Sequence, residues 1–296
     1  MTRDDFQELT NQKLLYLDGA TGSNLYLAGM PRGVCTEQWI LEHEQVLIEL
    51  QRAYARAGSQ IVYAPTFGAN RVNLCRHGLE DDIADMNKRL VDLSRRAVGH
   101  DVLIAGDISP TGKLLEGSGG DTSVEELFEV YREQISILAA EGIDLIVAET
   151  MLSVDETVVA LDAAMSVCSL PVICTLTLEA DGNAIYGGNA VEAVETLQAV
   201  GASAVGLNCS VGPDQLESVI RNMKSAAEVP VIAKPNAGMP VIDTSGNAVY
   251  GMGAEEFAGH MEQLAKAGAS VLGGCCGTTP DYIRKLRLRM EGHLIR

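Results

Sequence analysis

The chain has 296 residues, and 47% of them are apolar, which is enough to bury a large core. Its 40 acidic residues outnumber its 22 basic residues, so the net charge of −18 disfavours nucleic acid and anionic membranes as partners. Seven cysteines are an odd number in a long chain, and no disulfide framework is expected. Because residues 1–10 are polar and no apolar run could span a membrane, a reducing, cytoplasmic location is expected.

Eight short runs rich in Val, Ile, Leu and Ala alternate with longer helical patterns along the chain. Continuous apolar runs are typical of parallel strands that are buried on both faces. The predicted strands are 14–18, 60–65, 102–107, 144–149, 172–177, 204–208, 231–234 and 270–273. The alternation of strand and helix through the whole length favours a parallel α/β sheet.

A repeat of glycine and proline positions sharpens this prediction. A glycine ends the helical pattern before each even-numbered strand, and a proline precedes the fifth and seventh strands. These residues are Gly58, Gly142, Gly201, Gly268, Pro171 and Pro230. Eight regular units favour a closed (β/α)8 TIM barrel over an open, doubly wound sheet. We therefore expect residues 1–296 to form a single barrel domain.

Polar side chains follow most of the predicted strands. Because the active site of a TIM barrel lies at the carboxyl ends of its strands, these side chains are expected to converge on one face. They include Asp18, Thr66, Asp107, Glu149, Asn208, Lys234 and Asn236. The irregular segments 112–120, 180–188 and 238–253 also follow strands and are candidate lids over that face.

Three cysteines stand at two of these strand ends. Cys209 follows the sixth strand, and Cys275 and Cys276 follow the eighth in a glycine-rich turn that lets adjacent side chains face one point. Soft thiolates select zinc over hard cations, and three of them leave zinc a fourth position for a ligand. None of the five histidines follows a strand. The pattern favours a catalytic zinc site over a structural or redox pair.

A thiol that binds such a zinc ion loses its proton, so the predicted chemistry is alkyl transfer to a thiol. Asp18 and Glu149 are candidates to hold a substrate ammonium, and a local role as loop-capping carboxylates is equally open. Lys234 suggests a different enzyme, a Schiff-base barrel lyase, although a solvated ion pair at the rim explains this lysine equally well. A non-enzymatic zinc or redox sensor that uses the same thiols is another alternative.

Six motifs in order along the chain resemble the homocysteine S-methyltransferase family. They are Asp-Gly-Ala-Thr-Gly (18–22), Thr-Phe-Gly-Ala-Asn (66–70), Gly-Asp-Ile-Ser-Pro-Thr-Gly (106–112), Glu-Thr (149–150), Gly-Leu-Asn-Cys-Ser (206–210) and Gly-Gly-Cys-Cys-Gly-Thr-Thr-Pro (273–280). The resemblance implies zinc on Cys209, Cys275 and Cys276, homocysteine thiolate as the fourth ligand, and methionine as the product. The substrate contacts that it implies are Asp18, Gly19, Ala20, Thr66, Glu149 and Asn208.

Within that family, segments 234–240 and 277–280 are most similar to the homocysteine module of cobalamin-dependent methionine synthase. Such a module continues into folate and cobalamin domains, whereas this sequence has no Asp-x-His-x-x-Gly cobalamin signature. The resemblance therefore implies that a separate methyl-corrinoid protein supplies the methyl group. S-methylmethionine and betaine are the alternative donors.

Overall fold

The computed structural model describes residues 1–244 and 248–294. The strands are β1 (Leu15–Tyr16), β2 (Ile61–Tyr63), β3 (Leu103–Ile108), β4 (Leu145–Met151), β5 (Val172–Leu176), β6 (Ala204–Cys209), β7 (Val231–Pro235), β8 (Pro240–Ile242), β9 (Ala248–Tyr250) and β10 (Ala269–Leu272). Eight of them form one parallel sheet in the order β1-β10-β7-β6-β5-β4-β3-β2. A bridge between Leu17 and Ile61 joins the two edges, so the predicted (β/α)8 barrel is confirmed.

Helices surround this barrel. They are α1 (Arg3–Gln12), α2 (Gly22–Leu27), α3 (Thr36–Glu42), α4 (Glu44–Ala57), α5 (Arg71–Cys75), α6 (Ile83–Val98), α7 (Val124–Ala140), α8 (Val154–Val167), α9 (Ala190–Val200), α10 (Glu217–Ala226), α11 (Ala254–Ala267) and α12 (Pro280–Leu294). The described part of the chain contains no helix with the length and apolar character needed to cross a membrane.

Local sequence signals fix where several helices begin and end. The side chains of Ser123 and Ser153 accept hydrogen bonds from backbone N–H groups in the first turns of α7 and α8. Gly58 and Gly201 end α4 and α9 with φ angles of 108° and 118°, the left-handed conformation that the glycine repeat predicts. These caps set the length of each strand–helix unit.

Alternate side chains of the strands pack inside and outside the barrel. Leu15, Ile61, Val147 and Ile232 belong to an inner cluster, whereas a larger cluster lies between the strands and the surrounding helices. Phe6 of α1 is fully buried in the inner cluster, so α1 covers the amino-terminal end of the barrel. The carboxyl ends of the strands remain as the open side.

The structure corrects the prediction that segment 238–253 is irregular. Strands β8 and β9 pair as an antiparallel hairpin within it, and positions 245–247 lie outside the described residues. The Met252 N–H donates a hydrogen bond to the Ala237 carbonyl at 3.1 Å, and the Tyr282 hydroxyl donates one to the Met252 carbonyl at 2.6 Å. These two bonds attach the base of the hairpin to the barrel.

Candidate thiol and carboxylate site

The carboxyl ends of the barrel strands surround a cavity of about 280 Å³. Its lining brings together two groups of functional side chains. We call the first group the thiol cluster: Cys209, Cys275 and Cys276. We call the second group the charge cluster: Asp18, Asp107, Glu149 and Lys234. The cavity therefore combines soft metal ligands with several ionisable groups, a combination typical of functional sites.

The thiol cluster has the spacing of a metal site. The three Sγ atoms all lie within 4.8 Å of one another. Tetrahedral zinc with Zn–S bonds of about 2.3 Å requires sulfurs about 3.8 Å apart, which this spacing accommodates. Thiolate is also a donor that zinc prefers. The residues present therefore fit a zinc ion, and three protein ligands leave one position for a ligand from the cavity.

Cys209 reaches this cluster because β6 ends in an uncommon backbone conformation. Cys209 and Ser210 have φ angles of 61° and 65°, in the left-handed region that is sparsely populated by residues other than glycine. Each such residue costs on the order of 1 kcal/mol or more, and surrounding bonds must hold it. The Ser210 carbonyl accepts a hydrogen bond from the Asn236 amide at 2.9 Å, and its hydroxyl donates to the Leu178 carbonyl.

The turn that carries Cys275 and Cys276 is held between neighbouring strand ends. The Cys275 N–H donates a hydrogen bond to the Pro235 carbonyl at 2.7 Å, and the Thr278 hydroxyl donates one to the Cys275 carbonyl at 2.7 Å. Gly277 has a φ angle of 81°, and a Cβ atom there would lie 2.3 Å from the Tyr250 ring. Glycine is therefore required at this position, and the turn brings two adjacent thiols to one side of the cavity.

Hydrogen bonds within the thiol cluster stabilise negative charge on one sulfur. Hydrogen bonds from the thiols of Cys209 and Cys275, and a weaker contribution from the Tyr250 hydroxyl, lower the pKa of Cys276. Donating hydrogen bonds to Cys275 and Cys276 raises the pKa of Cys209. The neighbouring donors therefore favour the thiolate form of Cys276 over that of Cys209.

Lys234 is the centre of the charge cluster. Its side chain is only 4% exposed, and its Nζ atom lies 3.2 Å from Glu149 Oε1, 3.6 Å from Asp18 Oδ1 and 4.7 Å from the centroid of the Tyr63 ring. Burial opposes the charge on Lys234, but Glu149 and Asp18 outweigh burial and raise its pKa. The interpretation of Lys234 as part of a solvated ion pair is therefore wrong, because the ion pair is buried.

The charge cluster has more carboxylates than cations. Asp18 Oδ2 accepts a hydrogen bond from the Tyr63 N–H at 2.9 Å, and burial raises the pKa of Asp18 to about 6 although Lys234 opposes the shift. Asp107 Oδ1 is buried and has no hydrogen-bond partner within the described part of the chain. Burial, and then repulsion from Glu149, raises the pKa of Asp107. A cationic ligand in the cavity would stabilise these carboxylates.

Gly19 and Ala20 line the cavity through the turn after β1. The Ala20 N–H already donates a hydrogen bond to the Thr278 hydroxyl at 3.1 Å, so this amide connects the turn to the thiol cluster. A Cβ atom at Gly19 would lie 2.6 Å from the Tyr54 hydroxyl, which explains the glycine. The backbone of this turn therefore forms a tightly packed wall of the cavity.

Thr66 and Asn208 lie behind the lining rather than in it. The Thr66 hydroxyl donates to the Asp107 carbonyl at 2.8 Å and accepts from the Asp107 N–H at 3.1 Å. Asn208 is fully buried, and its amide group bonds the Thr150 N–H at 2.8 Å and the Thr150 hydroxyl at 2.7 Å. In this structure both residues hold neighbours that line the cavity.

Sequence reasoning missed several contributors to the site. It noted Asp107 at a strand end but assigned it no role, and it gave no role to Tyr63, Tyr250 or Thr278. Asp107 and Thr278 lie within the motifs at 106–112 and 273–280, so these motifs could have identified both as site residues. Tyr63 and Tyr250 could not be identified from the sequence, because their contacts in the site are with residues far along the chain. Tyr63 packs beside Lys234, and Tyr250 comes from the hairpin and lies over Gly277.

A closed barrel whose strand ends bring three convergent thiols and buried carboxylates to one cavity has the architecture of an enzyme that acts on a small molecule. The chain belongs to the homocysteine S-methyltransferase family, which it matches over residues 15–290. The resemblance drawn from its motifs is therefore confirmed.

Relatives and solved structures agree with this assignment. The methionine synthases of Mycobacterium leprae and Mycobacterium tuberculosis are 31% and 30% identical over 300 residues, covering 95% of this chain. The chain spans only 25% of the length of these relatives. The Escherichia coli homocysteine methyltransferase MmuM matches with TM-scores of 0.80 (oxidised form) and 0.79 (metallated form) at 23% identity. The oxidised form aligns over 96% of this chain and 98% of its own, which supports the fold.

Proposed function

We propose that the chain transfers a methyl group to the sulfur of homocysteine, giving methionine, with zinc held by Cys209, Cys275 and Cys276. The observation that carries this proposal is the presence of three convergent sulfurs and an acidic charge cluster in one cavity. When bound, zinc would supply Lewis acidity that favours the thiolate form of the substrate sulfur, which is the nucleophilic form.

The charge cluster would orient homocysteine through its ammonium group. Asp18 and Glu149 keep negative charge near the cavity while Lys234 holds both side chains in place. Asp107 Oδ1 has no partner among the described residues and is a further acceptor. The wall formed by Gly19 and Ala20 would limit the space beside the amino-acid group.

Thr66 and Asn208 would influence substrate binding indirectly, by positioning residues that line the cavity. Thr66 fixes the backbone of Asp107, and Asn208 fixes that of Thr150, whose φ angle of 60° is unusual for threonine. Thr150 directly follows Glu149 in the chain. Both predicted contacts would therefore keep a carboxylate of the charge cluster in position.

For the methyl donor we propose a methyl-corrinoid protein that acts in trans. The resemblance of the motifs to cobalamin-dependent methionine synthase supports this donor, as does the 31% identity to a methionine synthase over one quarter of that protein. S-methylmethionine and betaine remain the alternative donors. A reducing cytoplasm is the proposed location, because three thiols within 4.8 Å of one another would form disulfides under oxidising conditions.

The other two candidate functions lack support in the geometry. A Schiff-base lysine must lose its proton to attack a carbonyl, whereas buried carboxylates keep Lys234 protonated. A zinc or redox sensor does not require an acidic cavity beside its thiols. Membership of a methyltransferase family favours the enzyme over both alternatives.

Reconstitution tests the proposal. The purified chain would be loaded with zinc, supplied with homocysteine, and offered a methylated corrinoid protein, S-methylmethionine or betaine in separate reactions. We expect methionine with the corrinoid protein, and we expect its formation to stop when a chelator removes the metal. Methionine formation that survives complete metal removal would contradict the role of zinc. No methionine from any donor would contradict the reaction itself.

A further inference from the structure

One buried hydroxyl group in the cavity wall is unpaired. Tyr63 ends β2, lines the cavity that holds the thiol and charge clusters, and is only 4% exposed. Its hydroxyl oxygen is buried and makes no hydrogen bond within the described part of the chain. Other buried tyrosines are bonded. The Tyr54 hydroxyl donates to the Ala20 carbonyl at 2.8 Å, and the Tyr131 hydroxyl donates to Glu156 at 2.8 Å. Because an unpaired buried hydroxyl costs free energy, the one at Tyr63 is a candidate contact for a ligand.

The rest of Tyr63 is fixed without help from its hydroxyl. The backbone N–H donates to Asp18 Oδ2 at 2.9 Å, and the backbone carbonyl accepts from the Gln51 amide at 3.0 Å. The ring centroid lies 4.7 Å from Lys234 Nζ, which is within the range of a cation–π contact. These contacts hold the main chain and the ring in place, so the hydroxyl is available to a ligand in the cavity.

The Tyr63 hydroxyl is a donor at neutral pH. Burial raises the pKa of Tyr63 well above the ordinary value of 10.0, although Lys234 opposes the shift, so the phenol keeps its proton. Two other donors of the cavity are already engaged. The Ala20 N–H donates to the Thr278 hydroxyl, and the Lys234 ammonium has two carboxylate partners. A carboxylate that entered the cavity would therefore find an unpaired donor at Tyr63.

We propose that Tyr63 is a specificity-determining residue whose hydroxyl donates a hydrogen bond to the carboxylate of homocysteine. The inference rests on the proposed function and names the side chain that recognises one part of its substrate. Homocysteine carries both an ammonium and a carboxylate. Asp107 Oδ1, an unpaired acceptor among the described residues, would serve the ammonium, and Tyr63 would serve the carboxylate. A thiol without a carboxylate would leave the buried donor unpaired, and sites of this kind discriminate strongly against such ligands.

Tyr63→Phe isolates this contact, because it removes the hydroxyl and keeps the ring that faces Lys234. The substitution breaks no hydrogen bond among the described residues, so the melting temperature and the zinc content should match those of the wild type. Tyr16→Phe is the matched control. Tyr16 also stands on a barrel strand, but its side chain packs in the outer cluster between the strands and the helices.

Binding would be measured by calorimetric titration of each zinc-loaded protein, without a methyl donor. The two ligands are homocysteine and its decarboxylated analogue, an aminopropanethiol. We expect Tyr63→Phe to raise the Kd for homocysteine by about 10- to 100-fold, the effect of one hydrogen bond to a charged group. Its Kd for the analogue should be no higher than that of the wild type, because this ligand has no carboxylate. Tyr16→Phe should leave both values unchanged.

The possible failures can be told apart. Equal homocysteine affinity in the wild type and Tyr63→Phe would overturn the contact and leave the proposed function intact. An equal loss of affinity for both ligands would show that the hydroxyl does not recognise the carboxylate. A lower melting temperature in Tyr63→Phe would show that the hydroxyl serves the fold, which also contradicts the inference. A wild-type protein that binds no homocysteine would overturn the proposed function and the inference together.

Discussion

The thiol cluster and the charge cluster share a cavity but are held in place by different forces. The cysteines stand on turns whose backbones are fixed by hydrogen bonds and by unusual φ angles at Cys209 and Gly277. The charge cluster stands at regular strand ends and depends on mutual attraction around the buried Lys234. We therefore expect that removing a thiol has little effect on folding, whereas removing the Lys234 charge destabilises the fold. Four substitutions test that contrast.

Removing one thiol should have the largest effect on activity. Cys276→Ala leaves two sulfurs, which is too few to hold zinc tightly, and several kcal/mol of metal assistance corresponds to a loss of about 1,000-fold in rate. The metal content should fall well below one equivalent while the melting temperature of the metal-free protein stays unchanged. Cys75→Ala, at an exposed cysteine, is the control and should behave as the wild type. A full equivalent of zinc in the Cys276 variant would contradict the ligand assignment.

Removing the buried ammonium should have the largest effect on stability. Lys234→Met leaves Asp18 and Glu149 buried without their cation, and breaking such a pair costs about 3–5 kcal/mol. Urea unfolding measures this loss. Lys266→Met breaks a pair whose lysine is 60% exposed, and it should cost below about 1 kcal/mol.

The stability deficit of Lys234→Met should depend on pH. Burial raises the pKa of Asp18 and Glu149 in the folded state, so the folded protein binds more protons than the unfolded chain at mildly acidic pH. Stability from these groups is present below the unfolded pKa and is lost as the pH rises through the folded pKa. The deficit should shrink as pH falls from 7 to 5, and Glu149→Gln should restore part of it at pH 7. Equal deficits at both pH values would contradict the charge-based account.

Asp18 should control substrate affinity more than stability. A charge-assisted hydrogen bond contributes about 1.5–3 kcal/mol, so Asp18→Asn should raise the KM for homocysteine by about 10- to 100-fold. Because the pKa of Asp18 is raised to about 6, the wild-type KM should fall as pH rises from 5 to 7 and Asp18 ionises. That dependence should weaken in the variant. Asp144→Asn, which alters a carboxylate paired with Arg95 away from the cavity, should leave the KM unchanged.

The smallest effect is expected at Thr278, which joins the turn that carries Asp18 to the turn that carries Cys275. The Thr278 hydroxyl accepts from the Ala20 N–H and donates to the Cys275 carbonyl. Thr278→Val keeps the side-chain shape and removes both bonds, which should cost about 1–2 kcal/mol of stability in urea unfolding. Zinc content should remain near one equivalent, because three sulfurs remain. A zinc content that falls as far as in Cys276→Ala would show that the clusters do not act separately.

The barrel could be predicted because its signals are local and repeated. Each strand is a continuous apolar run, and glycines such as Gly58 and Gly201 adopt the left-handed conformation that their positions predict. The hairpin in 238–253 was missed because each of its strands has only three residues, too few to show an alternating pattern within a segment rich in Gly. Its packing on the barrel depends on contacts such as that of Tyr282 with Met252, which a sequence does not reveal.

The sequence predicted which residues line the cavity, but not which hydrogen bonds and ion pairs they form with one another. Strand-end positions identified the cysteines and carboxylates that line the cavity. An ion pair at Lys234 was among the predictions, but its partners Asp18 and Glu149 could not be identified because the three residues come from different strands. The bonds of Thr66 to the Asp107 backbone, and of Asn208 to Thr150 and the Cys275 sulfur, were also not predictable, since they depend on rotamers chosen by packing.

The most direct test is the number of sulfur atoms around zinc with and without homocysteine. X-ray absorption at the zinc edge reports that number and the Zn–S distance, which is about 2.3 Å for thiolate ligands. The account predicts three sulfur neighbours in the zinc-loaded protein and four when homocysteine is added. A count that stays at three with saturating homocysteine, or a wild-type protein that fails to bind zinc, would contradict it.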